Sequence, residues 1–364
     1  MKTGSRVLVY GAGPLGSLFA ARLQEGGNDV SILARGQRLA DLHEHGIVLH
    51  DVRTKQQTVT RVNVVEALAP EDAYDLVLVI MRKNHALKIL SVLAANTHTP
   101  TILFLMNNAA GPGELVEALG RERVLIGFPN SAGYREGHVV HCLAGTEDNP
   151  ALVPFGEVDG RVTPRTRQVA RILESAPGFG AETRTDMDAW LKYHVALLMP
   201  SLAPALYAAG TDKDRLARTR DLVVLTVRAI REGFRVLRAL GLPVTPSRFK
   251  VFEWMPEPLM VWFLQRRLTD PLMEVAMVRH ANAARDEVTH LTDEFLVLAH
   301  ATSVPTPAID RLYPHLDPET PPVPEGSAEI PLRWGGVLLG TGLLGLAVAG
   351  GVILARRLAG RDVR

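Results

Sequence analysis

The stretch from Arg6 to Gly36, RVLVYGAGPLGSLFAARLQEGGNDVSILARG, constrains this chain more than any other. A short apolar run, Val7 to Tyr10, breaks into Gly11, Gly13 and Gly16 at GxGxxG spacing, with Pro14 and Leu15 between the last two. A helix-patterned segment carrying Leu18, Phe19 and Leu23 follows, then a second apolar run from Val30 to Leu33. Strand, glycine turn, helix and strand in that order are what a dinucleotide pyrophosphate requires. Gly11 permits the tight turn, Gly13 lets the backbone approach the phosphates, and Gly16 lets helix and strand pack closely. The helix N-terminus then presents free N–H groups and a positive dipole end to the anion. A glycine fingerprint alone is a weak signal; its strand–turn–helix setting makes this one a cofactor site.

The end of the second strand refines that expectation. An enzyme that prefers NAD usually places Asp or Glu there to bond the ribose hydroxyls. Here the chain reads Leu33-Ala34-Arg35-Gly36-Gln37-Arg38, with no acid and two cations. A guanidinium pairs with a 2′-phosphate in bidentate fashion, so Arg35 and Arg38 point to NADP(H).

At 364 residues the chain has room for two domains and an appendage. Forty basic against 39 acidic residues leave no global field, so nothing implies a nucleic-acid partner. One cysteine, Cys142, excludes an internal disulfide and any multi-thiolate metal site. His194 and His290 sit in helical segments without a ligand-spaced partner, and no metal is expected. From 1 to about 180, apolar runs alternate with helical segments, with strands expected at Leu76–Ile80, Thr101–Leu105, Val124–Phe128, Val139–Leu143 and Leu152–Val158. That alternation predicts a Rossmann-type, doubly wound α/β domain over 1–180. From 184 to 312 the pattern is helical almost throughout, and predicts an all-α second domain that holds the substrate.

Residues 313–333 are rich in proline and read as an extended, poorly packing linker. They lead to a charge-free run of 22 residues, 334–355, long enough at helical rise to cross a bilayer of about 30 Å, with Trp334 at one end and a basic tail, 356–364, at the other. The expectation is a single C-terminal transmembrane helix. Gly336 and Gly340 add a weak GxxxG signal for pairing into a homodimer. The arginines of the tail favour a cytoplasmic C-terminus, yet Met1–Arg6 lead into a strand with no export signal. The second consideration outweighs the first, and the catalytic body is expected to be cytoplasmic.

If a hydride carrier binds at the first domain, the second must supply an acid and a substrate clamp. Lys192, in Ala189-Trp-Leu-Lys-Tyr-His-Val-Ala-Leu-Leu-Met199, is a lone ammonium in a strongly apolar helix. Such a charge is costly unless it snorkels or meets an anion, and a carbonyl becoming an alkoxide is such an anion. Further along come Asn107 in LFLMNNAAGPGEL, Gly137 and His141 in REGHVVH, and Glu287 in RDEVTHLTDEF ahead of the Val-Pro-Thr-Pro segment 304–307.

Taken in order with GAGPLG at 11–16 and Arg35, these pieces resemble the ketopantoate reductase family over roughly residues 5–312. The resemblance implies Lys192 as general acid, Glu287 engaging the reacting oxygen and hydroxyl, and Asn107 placing nicotinamide and substrate. The family's lysine after the third strand falls on Arg82 here, with Lys83 beside it, and the resemblance implies that Arg82 binds the cofactor. Where the family has asparagines one and two turns beyond the catalytic lysine, this chain has Ala196 and Pro200, and the glycine after the key asparagine is Asn108. Lost hydrogen-bonding groups relax or change specificity. The expected activity is NADPH-dependent reduction of a 2-oxo acid. The alternatives are a related NADP-dependent dehydrogenase of another carbonyl or an imine, and a non-catalytic, membrane-tethered NADP(H)-binding protein. The apolar and aromatic segment 251–264 reads as core packing first, with a pocket wall, a lid or a surface facing the bilayer as alternatives.

Overall fold

The computed structural model describes residues 4–334. Its N-terminal part carries strands β1 (Arg6–Tyr10), β2 (Asp29–Leu33), β3 (Ile47–Asp51), β4 (Gln57–Thr60), β5 (Asn63–Val65), β6 (Leu76–Val79), β7 (Ile102–Leu105), β8 (Val124–Gly127), β9 (Ala132–Glu136), β10 (Val139–Leu143), β11 (Ala151–Glu157) and β12 (Phe179–Thr183). Helices α1 (Pro14–Glu25), α2 (Gly36–His45), α3 (Lys83–Ala86), α4 (Leu90–Ala95), α5 (Gly113–Leu119) and α6 (Pro164–Ser175) connect them. The main sheet runs β12-β11-β8-β7-β6-β1-β2-β5. From β5 to β8 every pairing is parallel; β11 is antiparallel to β8. The chain winds outward from β1 in both directions, so the crevice beyond the C-terminal ends of β1 and β6 is the switch point where open α/β sheets bind ligands.

Alternation along β1 places Val7 and Val9 in one apolar layer, Leu8 and Tyr10 in the other. Strands β4, β3, β10 and β9 form a second sheet that the sequence reading did not anticipate. Helix α1 lies between the two sheets, which is why Leu18, Phe19, Ala20, Ala21 and Leu23 are all buried rather than one stripe of them.

The C-terminal part contains α7 (Met187–Leu197), α8 (Ala203–Ala208), α9 (Lys213–Arg218), α10 (Arg220–Ala239), α11 (Val251–Trp254), α12 (Glu257–Leu268), α13 (Arg279–Ala283), α14 (Arg285–His300) and α15 (Pro307–Leu312). Its core gathers around α10, whose Val223, Val227, Ile230, Phe234 and Leu237 recur at helical spacing. Between α7 and α8 the backbone widens into a π-helical turn over Leu198–Leu202. Pro200 accounts for it, because it has no N–H to give and its ring collides with the carbonyl four residues back. The Ser201 hydroxyl takes up the freed acceptors, donating to the carbonyls of Ala196 (3.2 Å) and Leu197 (2.6 Å).

Three expectations change. The membrane-anchored architecture is replaced by a two-domain α/β fold: among the described residues no helix is long and apolar enough to cross a membrane. The localisation drawn from that helix goes with it, and residues 335–355 of the expected span lie outside the described ones. Residues 313–333 do not stand clear of the fold as a linker. Val323 N–H donates to the Ala208 carbonyl (2.9 Å), and Asp221 accepts the N–H groups of Glu329 (2.9 Å) and Ile330 (2.8 Å). Arg215 and Arg228 bond the carbonyls of Val323 (2.8 Å) and Pro331 (2.7 Å). Past a short 3-10 turn at Tyr313–Leu316 the segment has no helix or strand, and cations bond several of its carbonyls. Segment 251–264 divides its apolar residues: Met260 and Val261 are buried, while Trp254, Leu259, Trp262 and Phe263 are exposed.

Candidate active site

The glycine turn between β1 and α1 is built as its spacing predicts. Gly11 has φ +125°, and a Cβ there would lie 2.4 Å from the Ile80 carbonyl oxygen at the end of β6. At Gly16 a Cβ would lie 1.7 Å from the Gly11 carbonyl oxygen, so the close approach of helix and turn excludes any side chain. Around Gly13 there is open space instead, with nothing within 4 Å of the Cβ position. Gly13 also caps α1 without a side-chain bond, and Pro14 opens its first turn, with Leu15 next. The N–H groups there face that space, as an anion would require.

The two arginines after β2 part company. Arg38 is buried, donating to the Ala12 carbonyl (3.2 Å), the Ser17 hydroxyl (2.9 Å) and the His138 carbonyl (3.2 Å). Burial, with Arg135 nearby, lowers its pKa to about 10. It clamps the glycine turn to the second sheet and has no fork left for a phosphate. Arg35 is exposed at the N-cap of α2, held only by Nε to the Glu66 carbonyl (3.2 Å). Its terminal nitrogens make no hydrogen bond among the described residues.

The loops after β6 and β7 carry the next groups. Arg82, expected at the cofactor, instead pairs with Asp286 of α14 (2.7 Å) and donates to the Ala283 carbonyl. Asn84 joins the same carboxylate at 2.8 Å. Asn107 follows β7; its side chain is 8 % exposed and its carboxamide oxygen is buried with no hydrogen-bond partner. A buried acceptor without a donor is expensive, and a donor on a bound ligand would satisfy it. Asn108 turns inward. Its Oδ1 accepts from the Gly111 N–H (2.9 Å) and Lys83 Nζ (2.9 Å), and its Nδ2 donates to the Gly111 carbonyl (2.9 Å).

Helices α7 and α14 close the cleft. Lys192, 7 % exposed, pairs with Asp188 one turn earlier, and its Nζ lies over Gly111, 3.1 Å from where a Cβ there would stand. Glu287 is 2 % exposed; its Oε1 lies 3.4 Å from the Lys83 N–H and its Oε2 lies 3.7 Å from His280 Nε2. Burial pushes its pKa up to about 7, against the lowering pull of the Lys83 amide and Arg82. Lys192 and Glu287 thus both border the cluster of Asn108, Gly111 and Lys83, and Asn107 is the residue before Asn108 in the chain. Ala196 faces the core: a Cβ on Gly233 of α10 would come within 3.1 Å of its methyl. Sequence reading missed Asp188, Asp286 and Glu294 as partners of the three cations. Asp188 alone was within reach, standing four residues before Lys192.

An open glycine cradle, an uncapped helix N-terminus and the orphaned Asn107 oxygen fit a dinucleotide.

Residues 7–151 match the family model described as "Ketopantoate reductase PanE/ApbA". The chain is 28 % identical over 240 residues to a 2-dehydropantoate 2-reductase of Archaeoglobus fulgidus, a match covering 65 % of this chain and 75 % of that one. It is 26 % identical over 195 residues to YkpB, an uncharacterized oxidoreductase of Bacillus subtilis, covering 52 % of this chain and 61 % of the relative's length. In fold it is similar to 2-dehydropantoate 2-reductase from Geobacter metallireducens GS-15, with TM-score 0.68, 21 % identity and 85 % and 98 % of the two chains covered. It is also similar to D-mandelate dehydrogenase, solved with NADH and anilino(oxo)acetate, with TM-score 0.69, 15 % identity and 85 % and 96 % covered.

Proposed function

We propose that this chain, a ketopantoate-reductase-like oxidoreductase, reduces the keto group of a 2-oxo acid with NADPH. What supports the reading is that Lys192 and Glu287 both border the Lys83–Asn108–Gly111 cluster in the loops beyond β6 and β7, next to Asn107 in the chain. Gly11, Gly13, Pro14, Leu15 and Gly16 would hold the pyrophosphate, Arg35 the 2′-phosphate, and Asn107 the nicotinamide end. When bound, the cofactor supplies the hydride that adds to the carbonyl carbon. Lys192 donates the proton that the carbonyl oxygen needs as it becomes an alkoxide. Asp188 holds that ammonium in place over Gly111. With its pKa near 7, Glu287 is present at neutral pH in both protonation states and can bond either a hydroxyl or an oxyanion. Its burial keeps water from competing for those bonds.

One observation favours a particular substrate. Ala196 and Pro200, where the resemblance calls for asparagines, bring no hydrogen-bonding side chain to the cleft. A 2-oxo acid that needs no such hydrogen bond, its substituent apolar rather than hydroxylated, suits their loss better. NADPH oxidation with a panel of 2-oxo acids tests the proposal. Turnover with apolar members supports it, and no turnover with any member counts against it.

A further inference from the structure

Lys83 is a buried ammonium to which the proposed chemistry gives no task. Its side chain is 1 % exposed, and its Nζ donates to Asn108 Oδ1 (2.9 Å) and to Glu294 Oε1 (2.5 Å). The other oxygen of Glu294 accepts the Ala110 N–H (3.2 Å). Lys83 and Asn108 each adjoin the site. Asn108 follows Asn107 and holds Gly111, over which Lys192 Nζ lies. The main-chain N–H of Lys83 faces Glu287 at 3.4 Å. Glu287 and Glu294 stand seven residues apart, about two turns along one side of α14.

An ion pair this buried does little for stability, because an apolar pair of similar volume holds a core as well or better. What a charged pair adds is direction: charge-assisted bonds fix donor and acceptor positions more tightly than apolar contacts do. Here those bonds tie the loops after β6 and β7 to α14, across the cleft. We infer that Lys83, Asn108 and Glu294 are positioning residues that set the spacing between Asn107 on the cofactor side and Lys192 and Glu287 on the substrate side. The kinetic consequence rests on the reductase reading; the effect on the loop does not.

The test is the double variant Lys83→Met/Glu294→Leu in the full chain, which replaces the charges by an apolar pair. A purely structural role predicts wild-type melting and wild-type turnover. The inference predicts wild-type melting, NADPH affinity within about threefold, and kcat lowered by about tenfold or more with KM for the acid changed less. It also predicts faster hydrogen–deuterium exchange at residues 107–111 with NADPH bound. Turnover within about twofold of wild type overturns it, whatever the exchange. Should the double variant not fold, Lys83→Met/Glu294→Gln, which removes both charges and keeps the native shape at 294, carries the same predictions. If the wild type reduces none of the acids offered, exchange decides alone, and unchanged protection of 107–111 overturns the inference.

Discussion

Glu287→Gln isolates the cost of burying one carboxylate. The unfolded chain ionises this group near 4.5, whereas in the fold burial delays ionisation to about 7. Between those values the native state binds the extra proton, so stability falls as pH rises from 4.5 and levels off above about 7. At 1.36 kcal/mol per pH unit, a shift of that size corresponds to about 3 kcal/mol. The side chain is almost fully enclosed, so solvent screening takes little from that figure. Gln keeps an oxygen that can accept from the Lys83 N–H but cannot ionise. The variant should therefore match wild type near pH 4.5 and gain on it progressively, to about 3 kcal/mol above pH 7. Urea unfolding of both proteins at a series of pH values between about 4.5 and 8 reads the difference directly. A difference that does not change with pH, or one that grows against the variant, would refute the reasoning.

Three further outcomes follow from the site. Arg35→Asp should weaken NADPH by about tenfold or more and leave NADH nearly unchanged, since Arg35 is the cation free to meet a 2′-phosphate; titration of both cofactors by fluorescence checks it. Arg38→Ala should instead lower the melting midpoint and weaken both cofactors alike, because that side chain clamps the glycine turn. Gly16→Ala should abolish cofactor binding, because its Cβ would stand 1.7 Å from the Gly11 carbonyl oxygen; calorimetry with either cofactor suffices.

The glycine turn was legible because Gly11 and Gly16 answer local demands of the backbone, a positive φ and a close approach. Arg35 and Arg38 read alike in the sequence. Only the position of α2 against Ala12, Ser17 and His138 separates a free guanidinium from a clamped one. Lys192 announced itself as a charge in an apolar helix. The partners of Lys83 and Arg82 lie 211 and 204 residues away, and no local pattern signals such pairs. The second sheet was missed for a different reason. Its strands β4 and β9 are largely exposed and carry polar residues, so they lack the apolar runs that mark buried strands. In segment 313–333 the prolines signalled a chain without long helices or strands, and its first residues, Tyr313–Leu316, form a short 3-10 turn. The prolines hid its packing, which depends on arginines from α9 and α10 reaching its carbonyls.

The central claim is that Lys192 protonates the oxygen of a 2-oxo acid while NADPH is consumed. Its most direct test is the steady-state rate of NADPH oxidation by wild type and by Lys192→Ala, on the best acid from the panel, with cofactor affinity measured in parallel. The account predicts a loss in kcat of roughly 10²-fold or more with NADPH affinity retained. Turnover within a factor of about two of wild type would contradict it and leave Lys192 no more than the partner of Asp188.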